Sequence, residues 1–342
     1  MTLVLSVAGV RDIWRRHFRG VAVSVLIALA AAFLSEHYGA PAMLLAILIG
    51  LALHFLADDP RTSAGLDFAS RNLLRVGVAL LGIRISATMI GNLGFGLILI
   101  VIAAVAATLA FGLLSSRVIG QDARFGILTG GAVAICGASA AMAIAAVLGR
   151  RQTKEAEREM AFAVIGVTML STIAMILYPI IAGLLGLSDL ATGIFLGATI
   201  HDVAQVAGAG FSVSAPAGET AVFVKLIRVS MLAPVVLLTA LAFRGNRTTG
   251  ASTPHLFPGF LAVFIVLAGI NSLIGFPAFV GELASVLSQW ALLTAIAAVG
   301  VKTSLASIFH VGKRAIGVLV AETLFLAGFV LLALIVLHPE RG

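Results

Sequence analysis

Long apolar runs alternate with short polar clusters from Gly20 almost to the C-terminus. Many approach the roughly 20 residues that cross a hydrocarbon core as a helix rising about 1.5 Å per residue. Punctuation by proline, glycine and charge predicts about eleven spans, at 20–37, 41–57, 67–86, 94–114, 125–149, 159–186, 190–208, 219–243, 256–275, 282–304 and 314–337. The longest polar insertions, Arg150 to Glu159 and Arg244 to His255, are too short for a separate soluble domain. The pattern predicts an all-α polytopic membrane protein.

Composition agrees, since 61% of the 342 residues are hydrophobic and 11% charged, against about 25% charged in soluble domains. The formal charge of +7 comes from basic residues scattered among short loops, with no long basic tract interleaved with aromatics. That distribution argues against nucleic acid and for the positive-inside rule. It places the N-terminus in the cytoplasm of a bacterial-type inner membrane, with Arg61, Arg71, Arg117, Arg124, Arg244, Arg247, Lys313 and Arg314 on the same side. Arg150, Arg151 and Lys154 then fall outside, offset by Glu155, Glu157 and Glu159. Residues 1–19, with Arg11, Arg15, Arg16 and Arg19 around Trp14 and Phe18, read as an interfacial segment and not a signal peptide. A single cysteine, Cys136, excludes an intramolecular disulfide and a cysteine-based zinc cluster.

The chain also matches itself. Gly50, His54 and Ala57 in span 2 share a register with Gly197, His201 and Ala204 in span 7, and Leu73-Leu74-Arg75-Val76 in span 3 parallels Leu226-Ile227-Arg228-Val229 in span 8. An odd number of spans per unit forces the halves into opposite orientations, so an inverted repeat is predicted. Residues 20–149 form the first unit, 150–158 a charged linker, 159–304 the second unit, and 305–342 an additional helix. The same residues also suit ordinary interhelical histidines at His54 and His201, and arginines that snorkel at Arg75 and Arg228.

Candidate chemistry lies where spans carry polar groups. Span 5 holds Cys136-Gly137-Ala138-Ser139, and span 10 holds Gly300-Val301-Lys302-Thr303-Ser304. In each a glycine precedes a hydroxyl able to cap a restarting helix, which predicts two interrupted helices. Their N-terminal dipole ends and Lys302 would form a metal-free anion site. Close helix packing explains the small residues equally, and Lys302 at a helix end would snorkel. In span 7, His201 and Gln205 are four apart on a helix, with Asp202 beside them. Ionisable groups inside a membrane usually face a cavity or a partner, so these residues, with His54, Arg75 and Arg228, are candidates for coupling or gating. Pairing of Asp202 with Arg228 or Lys225 is the structural alternative.

Four motifs carry a family resemblance: Ile135-Cys136-Gly137-Ala138-Ser139-Ala140, His201-Asp202-Val203-Ala204-Gln205-Val206, Lys225-Leu226-Ile227-Arg228-Val229 through Met231-Leu232-Ala233-Pro234, and Val299-Gly300-Val301-Lys302-Thr303-Ser304-Leu305. With Arg84 after a Leu-Gly pair, they resemble the YeiH-type family, whose members carry the name of sulfate exporters. The resemblance runs from span 2 to span 10. It implies a five-plus-five inverted repeat with two crossed, interrupted helices, as in sodium–proton antiporters and bile-acid sodium symporters.

The expected function is secondary transport of a small oxyanion such as sulfate by alternating access, driven by a proton or sodium gradient. A cation–proton antiporter is the alternative, followed by an anion channel and an intramembrane enzyme built on Ser139, His201 and Asp202. No G-x-x-x-x-G-K-[ST] motif supplies ATP drive. The expected partners are lipids, a small anionic solute and a second copy in a homodimer. No cofactor, metal or catalytic residue is expected.

Overall fold

The computed structural model describes residues 7–84, 87–148, 154–243, 258–303 and 313–337. The described residues form helices and turns without strands. In chain order the helices are α1 (Val7–Tyr38), α2 (Ala42–Ala52), α3 (Pro60–Phe68), α4 (Leu74–Leu81), α5 (Ala87–Val118), α6 (Ala123–Ala134), α7 (Ala138–Val147), α8 (Lys154–Leu184), α9 (Asp189–Thr199), α10 (Val203–Val213), α11 (Ala215–Ser230), α12 (Leu232–Ala242), α13 (Gly259–Leu273), α14 (Ala278–Lys302) and α15 (Lys313–Leu337). Short 3₁₀ turns follow α2 and α4, and a π-helical turn, Ala69–Leu73, joins α3 to α4.

Six helical stretches are long and apolar enough to cross a membrane: Arg16–Tyr38, Gly96–Val118, Arg158–Leu184, Ala215–Ala242, Ala278–Lys302 and Ile316–Val336. Other apolar stretches are shorter because the backbone breaks within them. Spans 5 and 7 each become two helices of ten to twelve residues.

The chain divides into two compact units, one of Met1–Ser86 with Val263–Ser304, the other of Ala87–Ala262 with Leu305–Gly342. These units do not coincide with the halves expected from the self-match, because each draws on both halves. In the first unit α14 packs on α2, α4 and α1. Its seam with α2 is glycine on glycine: a Cβ on Gly300 would lie 2.7 Å from the Ile47 carbonyl oxygen, and one on Gly50 2.7 Å from that of Ala297. In the second unit α5 packs on α6, α9 on α11, and α10 on α11, while α15 lies against α5, α6, α8 and α9.

Candidate functional site: two helix breaks joined by two cations

The second unit contains both breaks. α6 starts on Asp122, whose carboxylate accepts the Phe125 N–H at 2.9 Å, and runs to Ala134. The chain then leaves helical geometry at Ile135 (φ −112°, ψ −88°) and turns at Gly137 with φ +64°. That backbone favours glycine, and a Cβ there would meet Val167 at 3.3 Å and the His201 Cβ at 3.6 Å. α7 follows with no side-chain cap, and Ser139 in its first turn is exposed.

The second break lies at Ile200, His201 and Asp202. The Asp202 carboxylate caps α10 by accepting the Ala204 N–H at 2.8 Å. The N–H groups of His201 and Asp202 both donate to Ser171 Oγ on α8 at 3.1 Å. The N–H groups of His201, Asp202 and Ala204 therefore all end on side-chain acceptors within the protein.

Lys225 and Arg228, three apart on one face of α11, tie the two breaks together. Lys225 Nζ donates to the Ile135 carbonyl at 2.6 Å and to that of Ile200 at 2.9 Å. Arg228 donates to Val133 (2.7 Å) and Ala134 (2.8 Å) on one side, and to Ile200 (3.1 Å) and Gly197 (3.4 Å) on the other. Lys225 is 0% exposed and Arg228 1%. Each bridges the C-terminal ends of α6 and α9, where the dipoles concentrate negative charge and the last carbonyls lack helical partners. An unpaired buried cation costs several kcal/mol, and these carbonyls compensate it. Asp202 spends its carboxylate on its own helix, so the alternative of a pairing with Lys225 or Arg228 is not realised as an ion pair among the described residues.

His201 is fully buried. Its Nδ1 lies 3.1 Å from the Val133 carbonyl, which can only accept, so Nδ1 carries the hydrogen. Nε2 lies 3.1 Å from Thr323 Oγ1 on α15 and, in the neutral ring, accepts that hydroxyl's hydrogen. The expected shared face of His201 and Gln205 is not formed, because His201 sits in the break and not on α10. Gln205 instead donates to Thr172 at 2.8 Å, and its Oε1 is buried without a partner among the described residues. At the first break Cys136 is buried and Ala138 half-buried.

The remaining candidates lie in the first unit. Span 10 is not interrupted at Gly300: α14 is helical through Lys302 and ends at Thr303, whose Oγ1 donates back to Val299 at 2.8 Å. Gly300 is a packing contact with α2, and the restart expected after Thr303 lies outside the described residues. Lys302 forms an ion pair with Asp67 and lies 3.5 Å from Ser70 Oγ. His54 Nδ1 donates to the Val301 carbonyl at 2.8 Å. Ser304 lies outside the described residues. Arg75 is exposed whereas Arg228 is buried, and His54 is half-buried whereas His201 is fully buried, so the residues paired by the self-match have different surroundings.

Sequence reasoning passed over Ser171, Thr323 and Glu322, and it named Lys225 only within a family motif and as a partner for Asp202. Lys225 and Glu322 each carried a usable signal, an ionisable residue deep within an apolar run. Ser171 and Thr323 carried none, since hydroxyls are common in membrane helices.

The model of the family described as "Conserved hypothetical protein 698" matches residues 19–319. The chain belongs to that family. It is 59% identical over 324 residues to the UPF0324 membrane protein TauZ of Paracoccus denitrificans, covering 94% of this chain and 95% of the relative. It is 56% identical to the UPF0324 membrane protein RB0971 of Rhizobium meliloti, covering 91% of each. It is 50% identical to the UPF0324 membrane protein CT0845 of Chlorobaculum tepidum, covering 92% of this chain and 88% of the relative. No solved structure matches. The resemblance read from the four motifs holds at the level of the family, and the protein is a membrane protein with several helices of spanning length.

Proposed function

We propose that the chain is a secondary transporter of small oxyanions, sulfate among them, working by alternating access through eleven crossings of a bacterial inner membrane. In this reading the helices broken by their turns count as one crossing each. The supporting observation is the junction of two interrupted helices by Lys225 and Arg228. Irregular backbone at membrane depth is tolerated where protein or a watery cavity satisfies it, and transporters place their sites at such breaks. Two C-terminal and two N-terminal dipole ends cancel, so Lys225, Arg228 and Asp202 leave about one positive unit. The excess favours an anion and disfavours a cation exchanger, which needs carboxylates at the crossing. The uncapped start of α7, at Ala138 and Ser139, is the end able to donate N–H groups to it.

The test is uptake of radiolabelled sulfate into proteoliposomes, with pH and sodium gradients imposed separately. Saturable uptake with counterflow is the expected result. Non-saturating flux without counterflow would establish a channel, and no sulfate-dependent flux would remove this substrate.

A further inference from the structure

A second polar site in the same unit belongs to neither break. Glu322, near the middle of α15, is 0% exposed. Its Oε1 lies 2.8 Å from Thr129 Oγ1 on α6, and its Oε2 is buried with no partner among the described residues. Among the described residues, the helices packed on α15 bring it no counter-charge. Arg117 on α5, Arg124 on α6, Arg158 and Glu159 on α8, and Asp189 on α9 all lie toward the ends of their helices, and none forms an ion pair with Glu322 among the described residues. His201 bonds the neighbouring residue, Thr323. Gly112 on α5 leaves room for the carboxyl, since a Cβ there would lie 3.0 Å from Oε1.

A carboxylate buried among apolar helices with one neutral hydrogen bond is strongly disfavoured, whereas a carboxylic acid is not. Thr129 can serve both forms. Its Oγ1 also lies 3.1 Å from the Phe125 carbonyl, so it can accept from a protonated Glu322 while donating to Phe125. Rotation of that one hydroxyl turns the same hydrogen toward an ionised Glu322. Thr129 lies one helical turn before Val133, whose carbonyl bonds both Arg228 and His201. The carboxyl is thus linked through α6, and through Thr323, to the carbonyl end of the first break.

We propose that Glu322 is a proton-binding site of this protein, with Thr129 as the hydroxyl that adapts to its two states, and that its protonation couples transport to a proton gradient. One proton is gained or lost, carboxylate becoming carboxylic acid, with no other bond changed. The coupling half rests on the transport reading, while the proton site does not.

Infrared difference spectroscopy of the full-length protein across a pH titration reads the site directly. The wild type should show a protonated-carboxyl C=O band that bleaches on alkalinisation. Glu322→Gln should lose that band, and Thr129→Val, which keeps the carboxyl and removes its partner, should shift it. An unchanged set of carboxyl bands in Glu322→Gln, or an unmoved band in Thr129→Val, would overturn the site. In proteoliposomes, accumulation of sulfate driven by a pH gradient should fall in Glu322→Gln to the level without a gradient. If wild-type vesicles move no sulfate while the band titrates, the transport reading fails and the proton site stands. If sulfate moves and Glu322→Gln answers the gradient as wild type does, the coupling is wrong and the transport reading stands.

Discussion

The two breaks of the second unit are built from the same parts and finished differently. Both end a helix of eleven or twelve residues at an isoleucine whose carbonyl is bonded by Lys225, and both restart after two further residues. At Ile200–Asp202 the restart is closed, with Asp202 capping α10 and Ser171 taking two more N–H groups. At Ile135–Gly137 the restart is open, with a positive-φ glycine in the cap position and no capping side chain. A closed N-terminus brings its own negative charge, and an open one invites a negative charge from outside. The carbonyl ends hold the breaks together, and the amide ends set them apart.

The largest stability effect is expected where the breaks are alike. Arg228→Ala leaves the Ala134 carbonyl without its cation and weakens Val133 and Ile200, which should cost about 3–5 kcal/mol, read as a lowered unfolding temperature in detergent. Arg228→Lys keeps the charge but cannot span carbonyls of both helices with a planar fork, so it should recover part of that loss. Equal stability of Arg228→Ala and wild type would show that the cations do not join the breaks. Gly137→Ala separates them: only the first break needs positive φ, and the substitution should cost about 1–3 kcal/mol. Substitution of Ile200 by alanine, where φ is −68°, imposes no such backbone strain.

Much of this was legible in the sequence, and the limits have physical causes. Apolar run length predicted a helical membrane protein, and six helices are long and apolar enough to cross; Gly137 marked a true break, although the Ser139 hydroxyl does not cap it. At Gly300 itself the chain stays helical, because glycine serves close packing as readily as a turn: Gly300 lies against Gly50, α14 ends at Thr303, and the expected restart lies outside the described residues. Span 7 was singled out for His201 and Asp202, but its interruption was missed, since a capping aspartate within an apolar run looks like a buried charge. The role of α15 could not be read at all. It falls outside the self-match, and its Thr323 and Glu322 meet partners more than a hundred residues away.

Asp202→Ala tests whether the second break is closed by its own carboxylate. Loss of the cap should cost about 0.5–2 kcal/mol, with Asp202→Asn close to wild type, because asparagine caps nearly as well. The pair has a second reading in transport. Both variants remove one negative charge from the junction, so sulfate affinity should hold or rise in both, although only the alanine variant is destabilised. Affinity that falls with the charge would place Asp202 in a cation site and favour the antiporter reading over the anion reading.

Ser139→Asp carries the smallest expected stability change and bears most directly on the difference between the breaks. Residue 139 lies in the first turn of α7, so a carboxylate there gives the open N-terminus the negative charge that Asp202 gives its counterpart. By itself this should stabilise the helix by about 0.3–1 kcal/mol, a slight rise in unfolding temperature. The same carboxylate occupies the N–H groups that an external oxyanion would use and repels it at close range. Sulfate uptake should therefore fall at least about tenfold, which corresponds to about 1.4 kcal/mol, while the fold is unharmed. Ser139→Ala removes only the hydroxyl and should retain most of the uptake, because backbone N–H groups and dipole carry the interaction. A Ser139→Asp protein that transports as wild type would mean that the open end of α7 binds water alone, and that the substrate meets the protein elsewhere.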